Sequence, residues 1–313
     1  MIDCVYIAAS KLDARFTRIC VASVRYFYPE IPIRLLVGGR LQRGLAHELR
    51  RYWGVRIADI PKGNYGWGFV KLEPLFAPPG ERFLVLDSDT VMAGPVLELA
   101  DYSDEDLIVD NENVSPEVAK AVYYDFEKAA EERIPVPGPA FLFNTGQWFG
   151  RSGILSRRDF GDLVQWGFPP RLTNPTIFKN GEQGVLNFVA NELLRLGKIR
   201  VAHVPLMRWP GHGMQELEVN TVSQRAATPI IIHWAGMKRV RQREMVGADL
   251  LSYFEKIYYQ RLPYGRMRWL MAAGQDSLAH WLHAVQVRVQ LASRKYIVLP
   301  SLEVLSPKAH SRK

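Results

Sequence analysis

Short apolar runs and amphipathic stretches alternate over about the first 200 residues of the chain. Val5-Tyr6-Ile7-Ala8-Ala9 predicts a buried strand. Residues 14–27 then put Phe16, Ile19, Cys20, Ser23 and Phe27 on one helical face. Ile33–Val37 is a second apolar strand, closed by Gly38-Gly39, and Leu41–Trp53 reads as a helix before a short strand at Val55–Ile57. Arg82–Leu86 predicts a strand that runs into Asp87-Ser88-Asp89, and Leu107–Val109 predicts another. Ser115 before Pro116 is a helix start, with the helix reaching Glu132 ahead of Pro135. Ala140–Phe143 predicts a strand that ends at Asn144-Thr145-Gly146. A helix at Gly181–Arg195 and strands at Ile199–His203 and Pro229–His233 complete the pattern.

Strands alternating with helices predict an α/β sandwich on a mostly parallel central sheet. Ligands of such sheets sit at the carboxyl ends of the strands. Three polar motifs fall there: Asp87–Asp89, Asn144–Gly146 and His233–Gly236. The chain has 313 residues, 48% hydrophobic and 23% charged, which excludes bulk disorder and fits one large domain with an appendage. With Cys4 and Cys20 as its only cysteines, it has neither a disulfide framework nor a zinc cluster, and a reducing compartment is expected. No run of about 20 apolar residues is present, so no spanning helix is expected. The opening MIDCVYIAASK does not read as a secretory signal.

Charge divides the chain at about residue 260. Residues 261–313 carry nine Lys and Arg against Asp276 and Glu303, which is +7 of the total +8. A near-neutral body argues against a nucleic-acid partner, and the basic end points to a local anionic surface. The expected domains are therefore a catalytic unit at 1–260 and a basic, amphipathic helical extension at 261–313. Within the extension Met267, Leu270, Met271, Leu278, Trp281, Leu282, Val285, Val289 and Ala292 recur at helical spacing, flanked by basic residues and Trp269. Such a stripe fits an anionic membrane surface contacted through residues 264–296, at the cytoplasmic, inner face. Packing of the stripe on the catalytic unit is the alternative.

Several chemistries are excluded by motif. GxxxxGK[ST], a GxGxxG after a strand, GxSxG, HExxH and CxxC are all absent, which removes the usual triphosphatase, dehydrogenase, serine-hydrolase and zinc-protease readings. What remains is oxygen and nitrogen chemistry. Alternation puts Asp87 and Asp89 on one side of the extended backbone with Ser88 opposite, so two carboxylates can share a divalent cation. His233 ends a buried run and can add a ring nitrogen, although a buried core histidine is the plainer reading. Two oxygens and an imidazole suit Mn²⁺ better than an all-oxygen Mg²⁺ cage, and either ion can bind. Asn144 and Thr145 can hydrogen-bond sugar hydroxyls or serve only as turn residues. Glu182 and Gln183 offer a carboxylate and an amide to one site, or cap a helix.

Taken in order, "FLVLDSDTV", "FLFNTG", "EQGVLN" and "IIHWAG" resemble the GT-A fold glycosyltransferases, and within them the retaining family 8 enzymes. That family includes glycogenin and bacterial lipopolysaccharide galactosyltransferases, and the resemblance covers about residues 2–240. It implies a nucleotide-diphosphosugar donor, a UDP-sugar in most of the family, and a glycan or lipid-linked acceptor. It also implies that Asp87, Asp89 and His233 hold the metal and that Glu182 and Gln183 lie near the anomeric carbon. Donor contacts would come from Ala8, Ala9, Ser10, Lys71, Ser88, Asn144, Thr145 and Gly236, with Lys238 or Arg239 on the diphosphate. Two departures stand out. Ser10 replaces the family's usual Asp or Asn. The Lys-Pro-Trp after the final glycine is missing, with Lys238 one place early and Arg239 in the lysine's position. A sugar nucleotidyltransferase also uses paired acids on an α/β sheet, but needs a glycine-rich basic loop near its N-terminus that is absent here. A non-catalytic sugar-nucleotide or glycan-binding protein would have no need of Glu182 beside Gln183. Trp67, Trp148 and the Arg208–Gly213 loop are candidates for stacking on an acceptor sugar.

Overall fold

The predicted strands form where the apolar runs put them, with one displaced, and four short strands form that the pattern does not predict. In chain order the elements are β1 (Cys4–Ala9), α1 (Ala14–Phe27), β2 (Ile33–Val37), α2 (Leu45–Trp53), β3 (Arg56–Ile57) and α3 (Glu73–Phe76), the last preceded by a 3₁₀ turn at Phe69–Leu72. There follow β4 (Arg82–Asp87), β5 (Thr90–Met92), β6 (Leu107–Val109), α4 (Pro116–Val122), α5 (Phe126–Glu131) and β7 (Gln147–Arg151). The remainder are β8 (Val164–Gln165), β9 (Arg171–Leu172), α6 (Glu182–Arg195), β10 (Val201–His203), β11 (Met207–Arg208), α7 (Val219–Ser223), β12 (Ile231–His233) and α8 (Ala248–Gln260). This computed structural model describes residues 1–66, 68–100, 104–110, 112–132, 134, 139–211, 218–225, 228–237 and 240–274.

Seven strands form the main sheet in the order β10-β6-β7-β4-β1-β2-β3. Every neighbouring pair is parallel except those made by β7, which runs antiparallel to β4 and β6. A small second sheet has the order β11-β12-β5. The period-2 alternation of strand side chains divides the interior into two cores. Val5, Ile7, Leu84 and Leu86 join one core with α1, α2, α8 and the second sheet. Cys4, Tyr6, Phe83 and Val85 join the other with α6 and the chain around α3, α4 and α5. The expected mostly parallel α/β sandwich is therefore correct.

Three local expectations change. The helix expected from Ser115 to Glu132 is two helices. Tyr123 leaves helical geometry (φ −112°, ψ −83°), Tyr124 bridges to Phe178, and the Asp125 side chain caps α5 by accepting from Lys128 N. The α2 helix begins at Leu45, because Gly44 ahead of it is in the left-handed region (φ +82°). Ala140–Phe143 is not a strand. Its backbone bonds the side-chain amides of Asn187 and Asn191, one helical turn apart on α6. The strand is the next segment, Gln147–Arg151, whose Gln, Gly and Arg interrupt the apolar pattern.

After α8, residues 265–274 are helical. Trp269 and Ala272 pack against the body, the Trp269 indole donates to Glu255 (3.3 Å), and Arg268 pairs with Glu48 (3.3 Å). Met267, Leu270 and Met271 are exposed. The rest of the predicted stripe lies outside the described residues. No described helix is long and apolar enough to cross a membrane.

Candidate active site

The site forms at the carboxyl edge of the main sheet, where β4 ends. Asp87 is the last residue of β4 and lies in register with Ala8 on β1. The turn that follows is closed by the Thr90 hydroxyl donating to Asp87 O (2.7 Å). β5 then pairs antiparallel with β12, with Thr90 opposite His233, and Trp234 N donates to Asp89 O (2.9 Å). That register, over 140 residues of intervening chain, sets His233 beside the two acids. His233 Nε2 lies 3.5 Å from Asp89 Oδ1 and 3.9 Å from Asp87 Oδ2.

One ligand atom from each of Asp87, Asp89 and His233 lies within 4.8 Å of the others. Ligand atoms about 2.1–2.3 Å from one ion lie about 3–4.5 Å apart, so the cluster fits a divalent cation after small adjustment. Two carboxylates with an imidazole fit Mn²⁺ or Mg²⁺. Gly146 makes room for the histidine. A Cβ there would lie 2.3 Å from His233 Cε1 and 2.8 Å from Asn144 Oδ1. On its other side the imidazole stacks on Trp209 at 5.4 Å and 19°, and the indole is 38% exposed.

The second half of the site is the start of α6. Glu182 and Gln183 are buried, and neither caps the helix. Glu182 Oε1 receives the Lys71 ammonium at 2.6 Å and the Thr145 hydroxyl at 2.9 Å. Gln183 Oε1 accepts from Thr145 N (3.3 Å), and its amide nitrogen donates to Val122 O (3.4 Å). Lys71 also bonds Asp87 (3.1 Å) and Thr145 O (3.1 Å). One buried cation thus links a metal-ligand candidate to the α6 carboxylate. Burial pushes the Lys71 ammonium toward its neutral form, but Asp87 and Glu182 outweigh that and hold its pKa above the ordinary lysine range. Gly68 (φ +74°) lets Glu182 approach, since a Cβ there would overlap Glu182 Oε2 at 1.6 Å.

The other expected residues are placed as follows. Ala8 and Ala9 end β1, and the Ser10 hydroxyl donates to Asp13 (2.7 Å). Ser88 is buried in the acidic turn, and its hydroxyl makes no hydrogen bond among the described residues. Asn144 is buried with its amide oxygen on Gly146 N (2.7 Å), which is the turn role; Thr145 joins the Lys71–Glu182 network. Gly236 follows β12 in the left-handed region (φ +76°). Lys238, Arg239, Trp67, His212 and Gly213 lie outside the described residues. Trp148 is fully buried in the core, so it cannot stack on an acceptor sugar.

The readings drawn from the sequence do not include what Gly68, Gly146, Asn187 and Asn191 do, although Gly146 and Asn187 lie within the motifs it offers. The asparagines had a legible signal, two amides at i, i+4 inside an otherwise apolar helix. The two glycines had none, because the side chains they admit come from distant segments.

No family model matches the chain, and no curated protein matches it. Solved structures do. The bifunctional glycosyltransferase WbbM superposes with a TM-score of 0.53 at 15% identity, over 82% of this chain and 49% of that one. The chain thus spans about half the length of WbbM. The galactosyltransferase LgtC, solved with donor and acceptor sugar analogues, gives 0.51 at 15% identity over 81% of this chain and 94% of its own. The glycosyltransferase GlyE of Streptococcus pneumoniae TIGR4 gives 0.50 at 16% identity, over 80% and 60%. With its mixed seven-stranded sheet and its acidic turn at the end of the central strand, the chain has the GT-A glycosyltransferase fold.

Proposed function

We propose that the protein is a metal-dependent glycosyltransferase that moves a sugar from a nucleotide-diphosphosugar, a UDP-sugar, to a glycan or lipid-linked acceptor with retention at the anomeric carbon. One observation carries the reading. The Asp87–Asp89–His233 cluster is joined through Lys71 to a buried carboxylate and amide at the start of α6, all at the carboxyl edge of a GT-A sheet.

Asp87, Asp89 and His233 are the residues that would hold Mn²⁺ or Mg²⁺. Once bound, the ion neutralises charge on the departing diphosphate. Ala8, Ala9 and Ser10 form the wall for the nucleobase at the end of β1. Lys238 or Arg239 would supply positive charge to the diphosphate. Asn144 and Thr145 orient the donor sugar. Glu182 or Gln183 presents an oxygen to the positive charge that develops at the anomeric carbon in an oxocarbenium-like transition state. Burial raises the Glu182 pKa and the Lys71 ammonium opposes that, so Lys71 favours the ionised carboxylate and holds it in place, while their burial keeps water from competing for the sugar.

The test is incubation with Mn²⁺ and a panel of nucleotide sugars, with released nucleotide as the readout. Release from one or more UDP-sugars supports the reading; no release, together with no Mn²⁺-dependent UDP binding, sinks it.

The basic extension is assigned to an anionic membrane surface at the cytoplasmic inner face. The exposed Met267, Leu270 and Met271 support that assignment. The docked Trp269 and Arg268 fix the base of the helix to the body. Sedimentation with anionic and neutral vesicles, using the full chain and a chain ending at Leu262, tests it. Equal binding by the truncated chain overturns it.

A further inference from the structure

A second recess lies on the face of the sheet made by β1–β3 and shares no lining residue with the candidate active site. It has a volume of about 920 Å³ and is bounded by Tyr6 of β1, Arg34 of β2, β3 with the chain after it to Pro61, the chain around α3, and residues 152–158. Glu81, on its wall, is six residues upstream of Asp87, about 20 Å along β4 at roughly 3.3 Å per residue.

Its floor has an unusual charge arrangement. Tyr6, Arg34 and Arg56 are in register on β1, β2 and β3, so their side chains leave the same face of three adjacent parallel strands. Strands lie about 4.8 Å apart, and like charges set side by side on them are destabilising. Arg34 is neutralised locally by Glu81 (2.5 Å) and bonds the Tyr6 hydroxyl (2.7 Å). Arg56 has no such relief, since it makes no side-chain hydrogen bond or ion pair among the described residues. The facing wall repeats the pattern. Arg157 pairs with Glu73 (2.7 Å) and lies over the Phe76 ring at 5.7 Å, while its neighbour Arg158 is exposed and unpaired among the described residues. Asp59 is the one lining acid left to balance Arg56 and Arg158.

We propose that this cleft is a second binding site, separate from the donor site, for a small molecule that bears a phosphate or carboxylate. Arg56 and Arg158 would grip that group from two walls, because a guanidinium bonds either group through two parallel N–H donors. The volume lies within the range of small-molecule sites, about 300–1,000 Å³. The site does not depend on the glycosyl-transfer reading.

The full chain is titrated at low salt with glucose 1-phosphate, with tetragalacturonate and with maltotetraose, each in the presence of saturating UDP and Mn²⁺. The two anionic probes separate a phosphate from a carboxylate ligand, and maltotetraose controls for neutral sugar binding. Saturable one-to-one binding of at least one anionic probe is expected, weakened at least 10-fold in Arg56→Gln/Arg158→Gln and less in Arg56→Lys/Arg158→Lys. Both variants replace exposed side chains, and matching melting curves verify that they fold. The proposal is overturned if neither anionic probe binds saturably, if maltotetraose binds as well as they do, or if both double variants bind like the unaltered chain.

Discussion

Lys71→Met removes the ammonium that joins the two halves of the site while keeping most of the side-chain volume. In the native protein Lys71 contacts Glu182 at 2.6 Å and Asp87 at 3.1 Å, with both Lys71 and Glu182 almost wholly buried. Without it, Glu182 keeps the Thr145 hydroxyl but loses its one ion pair among the described residues. Breaking a buried ion pair from one side costs about 3–5 kcal/mol. For a chain of this length that is a fall in melting temperature on the order of 10 °C. Differential scanning calorimetry of the unaltered chain, Lys71→Met and Lys71→Met/Glu182→Gln measures it. The double variant, which no longer buries a lone carboxylate, is expected to recover more than half of the loss. The pH dependence has a fixed sign. The Lys71 pKa is raised in the folded state, so its contribution is complete below the ordinary lysine value of about 10.4 and disappears as pH rises beyond that toward the folded value. The ammonium's own share of the stability gap between the unaltered chain and Lys71→Met is therefore flat from pH 7 to 9 and shrinks above pH 10.5. A Lys71→Met protein that melts within 1 °C of the unaltered chain, or a double variant no more stable than the single, refutes the argument.

Asp89→Ala and His233→Ala each remove one of three candidate ligands, and calorimetry of UDP binding with and without Mn²⁺ is expected to lose its metal dependence in both. Gly146→Ala places a Cβ 2.3 Å from His233 Cε1, so Mn²⁺ affinity is expected to fall at least about 10-fold with far-ultraviolet dichroism unchanged; unaltered affinity would show that the ring position is unimportant. Asn191→Leu strips the partners from Ala140 N, Phe141 N and Phe141 O and is expected to cost about 3 kcal/mol or more in urea unfolding. Gln183→Ala breaks only long bonds of 3.3–3.4 Å, so a lower kcat with a nearly unchanged melting curve is expected; early melting with normal turnover would assign Gln183 to structure alone.

The sequence alone determined the fold class and much of the site. Apolar runs of five or six residues are strands whatever surrounds them when both faces are buried, which is why β1, β2, β4 and β12 sit where the pattern puts them. The acidic pair at the end of β4 and the histidine at the end of β12 were legible for the same reason, since chemistry in such sheets collects at strand ends. Long-range pairing decided the rest. The reversal of β7 depends on the gap between β4 and β6, and its own Gln, Gly and Arg carry no strand period. Ala140–Phe143 has a strand's composition, yet its backbone partners are two side-chain amides on a helix about 45 residues away, which no local pattern encodes. Lys71 could be read only as a cation near the site. That its charge engages Asp87 and Glu182 follows from three segments meeting in one buried volume, where low polarity makes an unpaired charge costly and so forces the pairing. Gly68 and Gly146 are needed for the same kind of reason. Each is a glycine because a side chain from elsewhere in the chain occupies the space its Cβ would fill, and only the folded structure brings that side chain there.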